Sequence, residues 1–173
     1  MLPSGEVTFV LTDIEGSTRL FRRLGNDYVV ALSVHNRLVR QAFGAAGGCE
    51  VKNDGDSFFY AFGTAAAAAR GAVALQRALS AAPWPEDAEF RVRVGIHTSA
   101  QAGPLGRDYI SLDVNRAARI TAAARGGQVL ASEATAKRLT DAGALYDLQM
   151  TAIGSCWLKD FDEMETLYAL STG

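Results

Sequence analysis

Val7-Thr8-Phe9-Val10-Leu11-Thr12-Asp13-Ile14-Glu15-Gly16-Ser17-Thr18 decides how this chain folds. Its first six residues are β-branched or apolar, the pattern of a short strand buried on both faces. The strand stops on an acid, Asp13. Gly16 supplies a backbone that turns tightly, and Ser17 or Thr18 is placed to cap a following helix. A carboxylate at the C-terminal end of a central strand, beside such a turn, is held in place and faces a crevice. That position suits a metal ligand, and it equally suits an acid that only satisfies turn amides.

Composition bounds the class. The chain has 173 residues, 49% hydrophobic and 21% charged, with a formal net charge of −2. This predicts one soluble domain over residues 1–173, either a small complete protein or a domain of a longer one. Slight acidity argues against a nucleic-acid partner held by phosphate contacts. No apolar run approaches a membrane span and the N-terminus lacks the regions of a signal peptide. A cytoplasmic location without membrane contact is expected. Cys49 and Cys156 have no metal-ligand spacing and read as reduced, partly buried thiols.

Working outward, apolar residues from Leu20 to Phe43 recur at helical spacing, with Gly25-Asn26-Asp27 as an interruption. Glu50 to Lys52 and Ser57 to Phe62 read as strands joined by the hairpin signal Asn53-Asp54-Gly55-Asp56. Thr64 caps an alanine-rich helix that Pro83-Trp84-Pro85 stops. Apolar residues alternate from Phe90 to His97, a strand with one face in the core and Arg91, Arg93 and His97 on the other. A helix is predicted over 114–125, closed by Gly126-Gly127, then a strand over 128–131, with Ser132 capping a short helix. Small strands are expected around Tyr146, Trp157 and Tyr168. The first four strands give β-α-β-β-α-β, so the fold class is α/β with a ferredoxin-like core and additional C-terminal strands. With the second and third strands flanking the first, Asp13 and Asp56 converge at one sheet edge. Two carboxylates on separate strands suit magnesium, which takes few protein oxygens and completes its shell with phosphate and water.

Residues 7–18, 52–62, Arg93-Val94-Gly95-Ile96-His97-Thr98 and 108–120 together resemble the catalytic domain of class III nucleotidyl cyclases, of the bacterial adenylyl cyclase type. The resemblance runs from about Val7 to Leu170. It implies conversion of ATP to 3′,5′-cyclic AMP and pyrophosphate by a homodimer with sites at the subunit interface. It also implies two divalent ions, Mg2+ or Mn2+, on Asp13, Asp56 and the carbonyl of Ile14. By motif position, Lys52 and Asp108 read the adenine edge, and Ala118 lies near the purine. Asn115 and Arg119 orient the ribose and stabilise the transition state, while Arg93 and Lys159 hold the departing phosphates. The chemistry is consistent: adenine presents an acceptor at N1 and a donor at its 6-amino group, which an ammonium and a carboxylate match. Asn115 and Arg119, spaced i and i+4, share one helix face about 6 Å apart. Arg116 and Arg125 read as exposed polar groups on other faces, and His97 is left without a role.

Some positions depart from the family pattern. Asn53-Asp54 adds a charge before Gly55-Asp56, Ser111 stands where glycine is frequent, and the surroundings of Lys159 diverge. Two other functions share much of this residue set. A guanylyl cyclase keeps the metal site but needs a different base-reading pair, and a silent nucleotide-binding regulatory domain usually lacks a metal or transition-state residue. An RNA-binding module needs aromatics on one sheet face, whereas Phe58, Phe59 and Tyr60 are adjacent.

Overall fold

A computed structural model describes the backbone of residues 1–173 and every side chain except that of Asp87. The opening stretch forms β1 (Gly5–Ile14), and Val7 to Val10 are buried on both faces as the run of β-branched and apolar residues requires. α1 (Ser17–Leu24) and α2 (Asn26–Ala45) follow, separated at Gly25. The remaining elements are β2 (Cys49–Asp54), β3 (Ser57–Phe62), α3 (Ala65–Ala81), β4 (Val92–Ala102), α4 (Leu112–Ala123), β5 (Val129–Ser132), α5 (Glu133–Asp141), β6 (Leu148–Trp157) and β7 (Met164–Thr172). The strands make one seven-stranded sheet in the order β2-β3-β1-β4-β5-β7-β6.

That order corrects the expected neighbours of the first strand. β1 lies between β3 and β4, both antiparallel to it, and β2 is the outer edge beyond β3. Asp56 therefore reaches the end of β1 from the β2–β3 turn, because β3 alone separates them. The turn is also tighter than predicted: β2 runs to Asp54, leaving Gly55 and Asp56 outside the strands, with Gly55 at φ 64°.

Two helical layers cover the sheet. Val10, Ile14, Phe58, Tyr60, Phe62, Val94 and Ile96 pack with Val39 and Phe43 of α2 and Leu75 of α3. On the opposite face Val7, Phe9, Phe59 and Ala61 pack with Tyr109 and with Ala117 of α4. α4 lies close because Gly95 presents no side chain to it. A Cβ there would sit 2.3 Å from Thr121 Oγ1 and 2.4 Å from the Thr121 nitrogen.

Thr64, Ser111 and Ser132 each accept a hydrogen bond from the third residue of the helix they start. α1 differs: its N-cap is Gly16 at φ 66°, and neither Ser17 nor Thr18 caps it. The C-terminal strands exceed the expectation, since β6 and β7 form a long hairpin and the fully exposed Tyr146 precedes it. β4 is also less one-sided than its alternation suggests, because α4 covers its second face and buries His97. Both cysteines are free and half-buried.

Candidate active site

Asp13 and Arg93 stand directly opposite each other on β1 and β4. Cross-strand partners share a sheet face, so the two side chains meet. Arg93 donates from Nε to Asp13 Oδ1 and from Nη2 to Asp13 Oδ2, both at 2.6 Å, in a bidentate fork. The pair is half-buried. The hydrogen bonds to Asp13 hold the guanidinium pKa above its ordinary value, with Glu15 and Asp56 adding to the effect. The charge of Asp56 also reaches Tyr28 and His35 of α2. Asp13, Glu15, Asp56 and Arg93 thus share one end of the sheet. Ile14 buries its side chain, so its carbonyl is the only group it can offer there.

The other expected residues lie along the α4 face. Lys52 is exposed on the edge strand, in register with Phe59. Phe59 packs edge-on against Tyr109, with ring centroids 6.2 Å apart, and that contact brings the loop carrying Asp108 to the same side of the sheet. Asp108 Oδ1 accepts from the Tyr109 amide at 2.7 Å. Asn115 is exposed in a shallow depression with Tyr109, Ser111 and Leu112. Ala118 and Arg119 are half-buried one turn on.

Arg119 donates through Nη2 to Asp160 Oδ2 at 2.5 Å, across to the β6–β7 turn. Asp160 follows the exposed Lys159 and has φ 69°, a left-handed backbone uncommon for a residue with a side chain. No local signal in the sequence marks Asp160 as Arg119's partner.

Asn115 does not reach Asp13 within one chain. The start of α4 is held by Asp113, which touches His97 and Ser99 on β4. Ser99 is six residues along β4 from Arg93, about 20 Å for an extended strand. Asn115, two residues beyond Asp113, is therefore far from Asp13.

The structure also gives His97 a place. Its Nδ1 lies 2.8 Å from Ser132 Oγ and its Nε2 lies 3.1 Å from Asp113 Oδ1. Ser99 Oγ donates to Asp113 Oδ2, and Ser132 connects through Thr135 and Thr98 to Thr8. This chain of side chains ties α4 to β1, β4 and the start of α5. Burial lowers the His97 pKa, so the ring is neutral, and its Nε2–H donates to the Asp113 carboxylate while Nδ1 accepts from Ser132. Arg116 is likewise not a free surface group. It pairs with Glu165 at 2.6 Å and covers the Phe161 ring, fastening α4 to β7.

Residues 1–171 match the family model described as adenylate and guanylate cyclase catalytic domain. An adenylate cyclase of Mycosarcoma maydis is 36% identical over 177 residues, covering 88% of this chain but 7% of that protein. An uncharacterized protein of Mycobacterium tuberculosis is 38% identical over 140 residues, covering 80% of this chain and 46% of its own length. The chain thus spans a small part of the fungal relative and about half of the mycobacterial one. Among solved structures, an adenylate cyclase from Trypanosoma brucei analysed in its monomeric state superposes with a TM-score of 0.88 at 28% identity, over 95% of this chain and 87% of that one. No described helix is long and apolar enough to cross a membrane.

Proposed function

The chain belongs to the adenylate and guanylate cyclase catalytic domain family, and from that premise we propose that it is an adenylyl cyclase that completes its site by dimerising. One observation carries the reading. The acidic end with Asp13, Asp56 and Arg93 is complementary in chemistry to Lys52, Asp108, Asn115 and Arg119, and Asn115 is remote from Asp13 within one chain. Two copies related by a two-fold axis bring each acidic end against the other copy's α4 face, making two equal sites.

The donors at the acidic end are hard oxygens on rigid strands, and their chemistry fits Mg2+ or Mn2+ held by Asp13, Asp56 and the Ile14 carbonyl. Bound there, divalent ions supply charge neutralisation for the triphosphate and acidify the ribose 3′-hydroxyl.

The chain's own residues do the rest. Lys52 donates to adenine N1 and Asp108 accepts from the 6-amino group, while guanine would set like groups against each other. Asn115 orients the ribose, so that the 3′-oxygen lies in line with the α-phosphorus. That oxygen bonds to phosphorus as the bridge to the β-phosphate breaks, and the hydroxyl proton passes to solvent. Arg119 spreads the charge that builds on phosphorus, and Arg93 and Lys159 hold the pyrophosphate.

The expected result with ATP and Mn2+ is cyclic AMP and pyrophosphate in equal amounts, resolved by chromatography. Binding of ATP without any product, by protein shown to be dimeric, overturns the catalytic reading in favour of a regulatory domain.

A further inference from the structure

Arg93 has two demands on it. As a phosphate holder its guanidinium must face the triphosphate, yet its Nε and Nη2 edge lies on Asp13. A carboxylate has two oxygens, and the fork takes both in a bidentate pair. A cation bound directly to Asp13 needs at least one of them. Each oxygen keeps a second lone pair, but a divalent ion there would sit beside the positive guanidinium, so the two occupants weaken each other's hold.

Charge makes the competition close. Asp13, Glu15 and Asp56 surround Arg93, so the cluster stays net negative with its arginine and attracts cations. The pair also stays dissociable: its side chains keep 28% and 27% of their exposure, so each partner can be resolvated when it lets go.

We propose that Arg93 is an exchange gate on the cation site. Entry of a divalent cation at Asp13 releases the guanidinium to the triphosphate, and capture of the guanidinium by triphosphate opens Asp13 to the cation. This rests on reading the acidic end as the cation and triphosphate site. By reciprocity, cation and triphosphate then strengthen each other's binding by the same factor.

The test has two arms, neither of which needs turnover. In the first, Mn2+ alone is titrated by electron paramagnetic resonance. Arg93→Gln should bind Mn2+ about tenfold more tightly than wild type, the size of an ordinary coupling between sites. Arg91→Gln removes the same charge two residues away, where Arg91 pairs with Glu89, and should shift the affinity far less. In the second arm, a fluorescent ATP analogue is titrated in EDTA. Asp13→Asn frees Arg93 and should tighten binding about tenfold. Asp56→Asn removes an equal charge but leaves the pair intact, and should do much less.

Circular dichroism melts establish that each variant is folded. If Arg93→Gln is not, Arg93→Lys carries the first arm, because one ammonium cannot span both oxygens and should give an intermediate gain. The proposal is overturned if wild type and the Arg93 variant bind Mn2+ equally, including no binding by either. It is also overturned if Asp13→Asn and Asp56→Asn move together, since that is a field effect without exchange, or if no variant binds the analogue. A chain that exchanges as described but makes no cyclic AMP refutes the cyclase reading alone.

Discussion

At the scale of single residues, the acids at the end of β1 separate function from folding most cleanly. Asp13 and Asp56 sit at strand ends and fill no core volume. Asp13→Asn or Asp56→Asn should lower cyclic AMP formation by about a hundredfold or more, as loss of several kcal/mol of metal-derived stabilisation requires, with a melting temperature close to wild type. A variant that melts far earlier would make that acid structural. The base pair can be tested the same way. Lys52→Glu with Asp108→Gly should erode the preference for ATP over GTP, since the wrong purine leaves polar groups unpaired. An unchanged preference in competition assays would remove both residues from base recognition. The two histidines give a signature in pH. Burial lowers the pKa of His35 and of His97, the latter against Asp113 and Glu165, which raise it, and with Arg116, which lowers it further. A depressed histidine stays neutral in the fold while the unfolded chain takes up a proton. Its contribution is therefore full above about pH 6.5 and is lost as pH falls through the folded-state value. Unfolding free energies from urea titrations should fall between pH 7 and 5, by at most about 1.4 kcal/mol per pH unit for each histidine. His97→Gln should flatten that slope; an equal slope in the variant would locate the titration elsewhere.

At the scale of elements, α4 is the piece whose position matters, and its position is set at both ends. Ser111 caps its start, and Asp113 is clamped by His97 and Ser99. Further along, Thr121 rests on the bare backbone of Gly95 and donates to the Leu11 carbonyl at 3.2 Å. Gly95→Ala should push the helix off the sheet, costing about 1–3 kcal/mol as overpacking does, and cyclic AMP formation should fall with it because Asn115 and Arg119 ride on that helix. Gly103→Ala, in open space, should change neither stability nor rate. Denaturant titrations beside rate measurements on both variants decide the point, and a fully active Gly95→Ala protein would show that the close approach is dispensable. The helix and its i, i+4 pair were legible in the sequence, although it runs from Leu112 to Ala123 rather than over 114–125, and neither its cap nor the role of Gly95 was read there. Its fastening to β4, β5 and β7 was not, because His97, Ser132, Arg116 and Glu165 come together only when the sheet forms.

At the scale of the whole molecule, the distance between Asn115 and Asp13 makes assembly testable. Asp13→Ala and Arg119→Ala homodimers should both be inactive. In a mixed dimer one site carries both defects and the other neither. With random equal mixing and demonstrated subunit exchange, activity should return to about a quarter of wild type; no return would leave each chain with its own complete site. The list of parts is written in the chain itself. Periodicity marked the strands and helices, and turn residues marked the hairpin and caps; Asp13 and Asp56 stood out as a carboxylate pair, and Lys52, Arg93, Asn115 and Arg119 as candidates only through the resemblance to the cyclase family. The period and turn signals are local, carried by side-chain period and backbone preference over a few residues. It took the assembled sheet to place β4 rather than β2 beside β1, Arg93 on Asp13, Arg119 on Asp160, and His97 within a buried polar network. Each of these is a contact between residues 16 to 80 or more positions apart. Such pairings are set by the order in which strands join a sheet, and no local preference encodes that order.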